Sequence, residues 1–376
     1  MPKQIANIYN NLVGFVLPFI IGILLIASSF TSLRIAGSGP IEILLLLALA
    51  LLLFFKLLEN SQFHYAPFVS LIYLLIFMAP ITFLNTYDDF LGSSTRTLYA
   101  LIYGSFIGFI AANISHKDQQ YIAYGMISIL IVIDAVVIFQ YDFNDMKRLL
   151  FLSENPNQIA LTALGAMFVI AMGVEDIRLI VTGFIATLIY GSLALSDSYF
   201  VSIFILFSFL FLKIILLSKL FLILGLLWLT LLLISWPLAF PDSSYVEPIL
   251  DLWSSADEGG GRVTLAINGI TAFLSSPIFG HGAGAFSGTE IPFMRFEAHN
   301  TLIDFLTMGG LIWALIVYVP FFLAARTILL ENRFLLLGSL MAIISFSLFH
   351  FIGRHPIFWV IWGYCLFIEL ENRRAN

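Results

Sequence analysis

Apolar runs long enough to cross a bilayer follow one another along this chain, separated by short connectors that hold most of the charge. A hydrocarbon core about 30 Å thick takes about 20 apolar residues per helix. Strand edges exposed to lipid would go unsatisfied, so each run is expected to be helical. With 60% apolar and 11% charged residues, against roughly 25% charged in soluble domains, no soluble core would hide this surface. Spans are expected near 11–31, 42–58, 66–84, 97–114, 121–141, 158–174, 178–195, 199–213, 217–240, 299–325, 334–351 and 355–370. The expected fold is therefore an all-α polytopic membrane bundle of about twelve transmembrane helices, forming one domain over 1–376. Lys213 and Lys219 divide the long Leu/Ile/Phe run of 199–240 into two. The first stretch, 13–30, is longer than the apolar core of a signal peptide and is read as a retained first helix.

Charge placement sets the expected orientation. One alternating set of connectors and termini, including Lys56, Lys117, Arg178, Arg326 and Arg333, is rich in cations and made of very short loops. The positive-inside rule puts that set, with both termini, in the cytoplasm. The long segment 241–298 then faces outward. A net charge of −6 without a cationic cluster argues against a nucleic-acid partner. Cys365 is the one cysteine, so neither an internal disulfide nor a Cys-based metal cage is expected, and no His/Asp/Glu spacing resembles a metal site.

The outward segment 241–298 has internal organisation. It opens with Pro241-Asp242-Ser243-Ser244 and passes through Gly259-Gly260-Gly261. Apolar positions 263, 266, 267, 270, 273 and 274 then follow a helical period, as an amphipathic interfacial helix would. Ser275-Ser276-Pro277 stops that helix, and the glycines of Gly280-His281-Gly282-Ala283-Gly284 permit tight turns.

Several residues are candidates for chemistry. His299 stands where the outward segment re-enters the membrane and suits proton transfer near neutral pH; a histidine capping an interfacial helix is the other reading. Asn300 and Asp304 follow it. Arg262 begins the interfacial helix and offers a forked donor for a phosphate or pyrophosphate, or an anchor for lipid headgroups. Lys147 and Arg148 lie outward against the positive-inside trend, answering either a polyanionic ligand or the neighbouring Asp142, Asp145 and Glu154. Arg295 and Arg354 are further outward cations. Asp134 and Asp304 fall in or near apolar spans, where an ionisable group is costly and marks a site by default. His64 and His116 read as cytoplasmic loop residues, while His350 and His355 are outward and open to either reading.

Gly261-Arg262, Ser276-Pro277-Ile278-Phe279-Gly280-His281-Gly282-Ala283-Gly284-Ala285-Phe286, Ala298-His299-Asn300-Thr301-Leu302 and Gly309-Gly310-Leu311 occur in that order. Together they resemble the signature region of the O-antigen ligase and O-antigen polymerase superfamily. Arg148 ahead of Asn155-Pro156-Asn157-Gln158-Ile159-Ala160 is similar to that family's Asn-Pro-Asn segment.

The resemblance implies a metal-independent, inverting glycosyl transfer at the outer face of a bacterial inner membrane, with no cofactor. A glycan carried on undecaprenyl pyrophosphate would pass to an acceptor hydroxyl. The acceptor is lipid A-core for a ligase and another lipid-linked glycan for a polymerase. By position, His299 would be the general base. Arg262 would hold the pyrophosphate and stabilise its growing charge, with Lys147, Arg148, Asn157, Arg295, Asn300 and Arg354 as further donor or glycan contacts. One departure stands out: the family's Ser-Arg pair corresponds here to Ser198-Tyr199. From another class, a transporter of a small solute or glycan would suit Asp134 and Asp304. The gathering of unusual residues at one face, without an internal repeat, favours the transferase.

Overall fold

A computed structural model describes residues 12–30, 39–58, 64–85, 91–140, 155–194, 196–217, 261–288 and 296–375, and among them every regular element is helical. In chain order these are α1 (Leu17–Ala27), α2 (Pro40–Leu58), α3 (Phe68–Tyr73), α4 (Ala79–Asn85), α5 (Leu91–Ala111), α6 (His116–Gln140) and α7 (Pro156–Gly173). There follow α8 (Ile177–Ser192), α9 (Asp197–Leu217), α10 (Gly261–Ser275), α11 (Thr301–Leu330), α12 (Phe334–Ser347) and α13 (Pro356–Ala375). A π-helical stretch, Leu74–Met78, joins α3 to α4. Helices occupy the expected apolar segments, apart from 218–240, which lies outside the described residues.

Among the described residues, four helices are long and apolar enough to cross a membrane: Pro40–Leu58, His116–Val137, Pro156–Gly173 and Thr301–Leu330. Their outward faces carry bare Leu, Ile and Phe, as on α2 at Leu44, Leu47, Leu51 and Phe54, which lipid but not water would solvate. Helix α7 is different, with nearly every side chain from Ile159 to Gly173 buried. It is the axis around which α6, α8, α12 and α13 pack. Helices α1 and α6 touch backbone to backbone at Gly22 and Gly125. A Cβ on Gly22 would collide with the Ile122 carbonyl, and one on Gly125 with that of Phe19, the small-residue contact that packs helices where no hydrophobic force acts between them.

Helix α11 is broken. Gly310 has φ 64° and ψ −165° inside its 30 residues, a conformation open only to glycine. The Phe305 and Tyr318 ring centroids lie 6.5 Å apart, whereas the same 13 residues of straight helix would rise about 20 Å. Residues 311–330 alone rise about 30 Å, the thickness of the hydrocarbon core. The preceding turns, 301–309, are thus a separate short helix.

A break inside an apolar bundle strands backbone groups, and the loop after α10 takes them up. The N–H groups of His281 and Gly282 donate to the Thr307 and Met308 carbonyls at 2.9 and 2.8 Å, while Leu311 N–H donates to the Pro277 carbonyl at 2.8 Å. The Tyr73 hydroxyl donates to the Gly309 carbonyl at 2.6 Å, and Ala283 N–H donates to Thr82 Oγ1 at 2.7 Å. Gly269 of α10 faces Ile303, and the loop at 277–282 meets 307–312. So α10 descends alongside the first turns of α11 and ends in a loop that plugs the break.

Candidate functional site

The turn that carries His299 is built by its neighbours. His299 has φ 52°, a left-handed conformation uncommon outside glycine. Asn300 then caps α11, its Oδ1 accepting from the Leu302 and Ile303 N–H groups at 3.1 and 3.2 Å. This follows the preference of Asn for a helix N-cap. Asp304 accepts the Ala298 N–H at 2.8 Å, so the turn is tied to α11 immediately before and immediately after His299. Asp304 is 1% exposed, its Oδ2 has no hydrogen-bond partner, and Glu297 and Arg354 are its charged neighbours. Asp304, five positions beyond His299, thus meets the turn through the backbone of Ala298.

The connector between α12 and α13 closes on the same turn. Asn300 Nδ2 donates to the Leu348 carbonyl at 3.1 Å. The Thr301 hydroxyl donates to the His350 carbonyl at 2.6 Å and accepts from Ile352 N–H at 3.0 Å. Arg354 pairs with Glu297 and stacks over Phe351, 5.2 Å from the ring centroid. Asn157, in the first turn of α7, joins from another direction: its Oδ1 accepts from Ser196 at 2.9 Å, Ser196 meets Ser198 at 2.9 Å, and Ser198 meets His350 Nε2 at 2.6 Å. His355 has a helix-capping role, its Nδ1 accepting the Ile357 N–H at 3.3 Å.

Of the residues singled out from the sequence, His299, Asn300, Asn157 and Arg354 thus lie around the capped start of α11 and its hydrogen-bonded neighbours. Arg262 is the second residue of α10, whose Gly269 approaches Ala298. Lys147, Arg148 and Arg295 lie outside the described residues. Ser196 and Glu297 join the site without having been singled out, and so does His350, an outward histidine that the sequence leaves open to either reading. Glu297 carried a signal, being an acid two positions before the histidine.

Tyr199, at the position where an arginine is expected, is 1% exposed. Its ring lies over Gly191 and its hydroxyl donates to the Thr187 carbonyl at 3.2 Å. It fills the seam between α8 and α9, a packing role, while the adjacent Ser198 faces the polar chain. Asp134 is 5% exposed and neither of its oxygens has a hydrogen-bond partner. Among the described residues no group of three His, Cys, Asp or Glu is placed to hold a metal.

Fold and composition define the class as a helical membrane protein. No protein-family model matches the chain, and no curated protein matches it.

Proposed function

We propose that the chain is a bacterial inner-membrane glycan transferase that moves a glycan from undecaprenyl pyrophosphate to an acceptor hydroxyl, of the O-antigen ligase type. The acceptor is lipid A-core, the bundle has about twelve spans with both termini cytoplasmic, and the site faces the periplasm. The observation that carries this reading is convergence. Asn157, Ser196, Ser198 and His350 form one hydrogen-bonded chain, the His350 carbonyl accepts from Thr301 two positions after His299, and Arg354 pairs with Glu297 two positions before it. Two of the ordered motifs behind the resemblance, Asn-Pro-Asn and Ala-His-Asn, contribute to it.

In the mechanism this supports, His299 takes the acceptor hydroxyl's proton as the oxygen attacks the anomeric carbon. The bond from that carbon to the pyrophosphate breaks, and Arg262 stabilises the charge left on the departing group. The carboxyl of Asp304, bonded to the Ala298 N–H, holds the base of the histidine turn in place. No metal is called upon.

The test is the lipopolysaccharide pattern on a gel in cells carrying His299→Ala or Arg262→Ala at parental protein levels. Each variant is expected to leave long lipid-linked chains unattached to the core. Full retention of attached glycan in either one overturns the reading. If the variants instead leave single repeats on the core, the enzyme is a polymerase.

A second reading, a transporter of a small solute or glycan, draws on two observations: the helix broken at Gly310 and the unpartnered carboxyl of Asp134. Broken helices and buried acids are features of transport sites. Solute uptake that needs Asp134 and not His299 would establish it.

A further inference from the structure

The hydrogen-bonded chain from α7 to the connector before α13 has a direction that proton counting fixes. Asn157 Oδ1 only accepts, so the Ser196 hydroxyl donates to it. A serine carries one proton, so Ser196 Oγ must accept from Ser198. Ser198 has then used its proton as well, and at 2.6 Å the Nε2 of His350 must be the donor. The chain therefore runs from His350 Nε2–H through Ser198 and Ser196 to Asn157, with Ser196 and Ser198 each 7% exposed. An imidazole carrying its proton only on Nδ1 would set two lone pairs against each other at the last link.

The same residue reaches the histidine turn through its backbone. The His350 carbonyl accepts from Thr301, Thr301 accepts from Ile352 N–H, and Asn300 donates to the Leu348 carbonyl. The 348–352 connector is thus clamped on one side to Asn300 and Thr301, directly after His299, and pinned on the other to α9 and α7 by the His350 ring. The left-handed turn at His299 is a strained conformation for a non-glycine residue, held only if its surroundings over-determine it.

We propose that His350 is a positioning residue for His299: as an Nε2–H donor it anchors the 348–352 connector to Ser198, and the connector in turn holds the Asn300–Thr301 clamp that sets the histidine turn. The catalytic half of this statement rests on the transferase reading, whereas the positional half does not. What the chain requires at position 350 is a donor of the right length, not an imidazole. Glutamine meets that requirement. Glutamate, an acceptor, would turn every hydroxyl around and leave Ser196 without a proton for Asn157.

The experiment uses the full-length protein in lipid nanodiscs with two readouts on His350→Gln, His350→Glu and His350→Leu. The first is the alkylation rate of the thiol in His299→Cys on a Cys365→Ala background, with N-ethylmaleimide as probe, which needs no enzymatic activity. The second is transfer from an undecaprenyl-pyrophosphate-linked glycan to lipid A-core, with His299 intact. The leucine and glutamate variants are expected to change the alkylation rate about fivefold or more and to lower kcat about tenfold with donor KM within about twofold, while the glutamine variant stays within about threefold of the parent on both. Parental alkylation in the leucine variant overturns the positioning role. A glutamine variant as impaired as the leucine variant overturns the donor assignment. Should the parent itself show no transfer while alkylation follows the expected pattern, the transferase reading falls and the positioning of residue 299 stands.

Discussion

Two buried aspartates stand in the first turns of two helices, Asp118 on α6 and Asp304 on α11, and they are treated in opposite ways. Asp118, 3% exposed, is fully engaged. Its Oδ2 accepts the Ser115 N–H at 3.0 Å and the Ser115 hydroxyl at 2.6 Å and meets Lys56 Nζ at 2.9 Å. Ser115 Oγ accepts the Asp118 N–H in return at 3.3 Å, a reciprocal N-terminal cap of the capping-box kind. Asp304, 1% exposed, takes the Ala298 N–H on Oδ1 and nothing on Oδ2. Arg354, a charged neighbour, is bonded to Glu297 instead. A carboxylate with its charge met and its lone pairs used is part of the scaffold. One left half-satisfied in a dry setting costs stability. The contrast separates the two ends of the bundle: Gly173 at the close of α7 packs on Gln119, so the start of α7, with the histidine turn, lies at the end away from Asp118.

The strongest way to break this comparison is Asp304→Asn. The amide keeps an acceptor for Ala298 N–H and removes the titratable group. Thermal stability in detergent should hold or rise, because the variant no longer buries an unpaired acid. Transfer should fall about 100-fold, worth about 2.7 kcal/mol of transition-state stabilisation, if the titratable carboxyl tied to the His299 turn serves the reaction. A variant that loses stability and transfer together would class Asp304 with Asp118. Lys56→Met is the mirror-image experiment. Removing the cation leaves the Asp118 charge buried with only its cap, and with Lys56 17% exposed the loss should be about 2 kcal/mol of unfolding free energy. Transfer per folded molecule should be unchanged, since Lys56 lies at the other end. A loss of transfer at parental protein level would sink the distinction.

How much of this was legible beforehand follows the range of the interactions. Helix positions could be read because burial in lipid needs only consecutive apolar residues, and α10 was visible in the spacing from Val263 to Leu274. At the histidine turn the sequence offered His299 itself as a helix cap, whereas the cap is its neighbour Asn300. The break at Gly310 was not legible. A glycine in a long apolar run is compatible with a continuous helix, and only the loop at 277–282, some 30 residues upstream, makes the break affordable for the backbone. Nor was the Ser198–His350 contact, whose partners stand 152 positions apart. Tyr199 shows a third limit. Its place in the motif suggested a missing phosphate contact, while the space over Gly191 that it fills belongs to helix packing and leaves no trace in local sequence.

Arg354 offers the finest test, because it stands between the two behaviours. Its guanidinium is 44% exposed on the side chain and its partner Glu297 only 14%. A pair so open to water contributes little, so Arg354→Ala should lower the unfolding free energy by less than about 1 kcal/mol once solvent screening is counted, even with the Phe351 ring contact added. If Arg354 is purely a counter-ion, Glu297→Gln should reproduce whatever Arg354→Ala does to transfer. If Arg354 serves the donor pyrophosphate, the two variants diverge. Arg354→Ala then raises the donor KM several-fold, by about 1 kcal/mol of binding, whereas Glu297→Gln releases the guanidinium toward the phosphate and leaves the donor KM equal or lower. Divergence is the expected outcome, because a half-exposed arginine beside a half-satisfied Asp304 is poised to exchange one anion for another. Identical kinetics in the two variants would return Arg354 to the scaffold, beside Lys56.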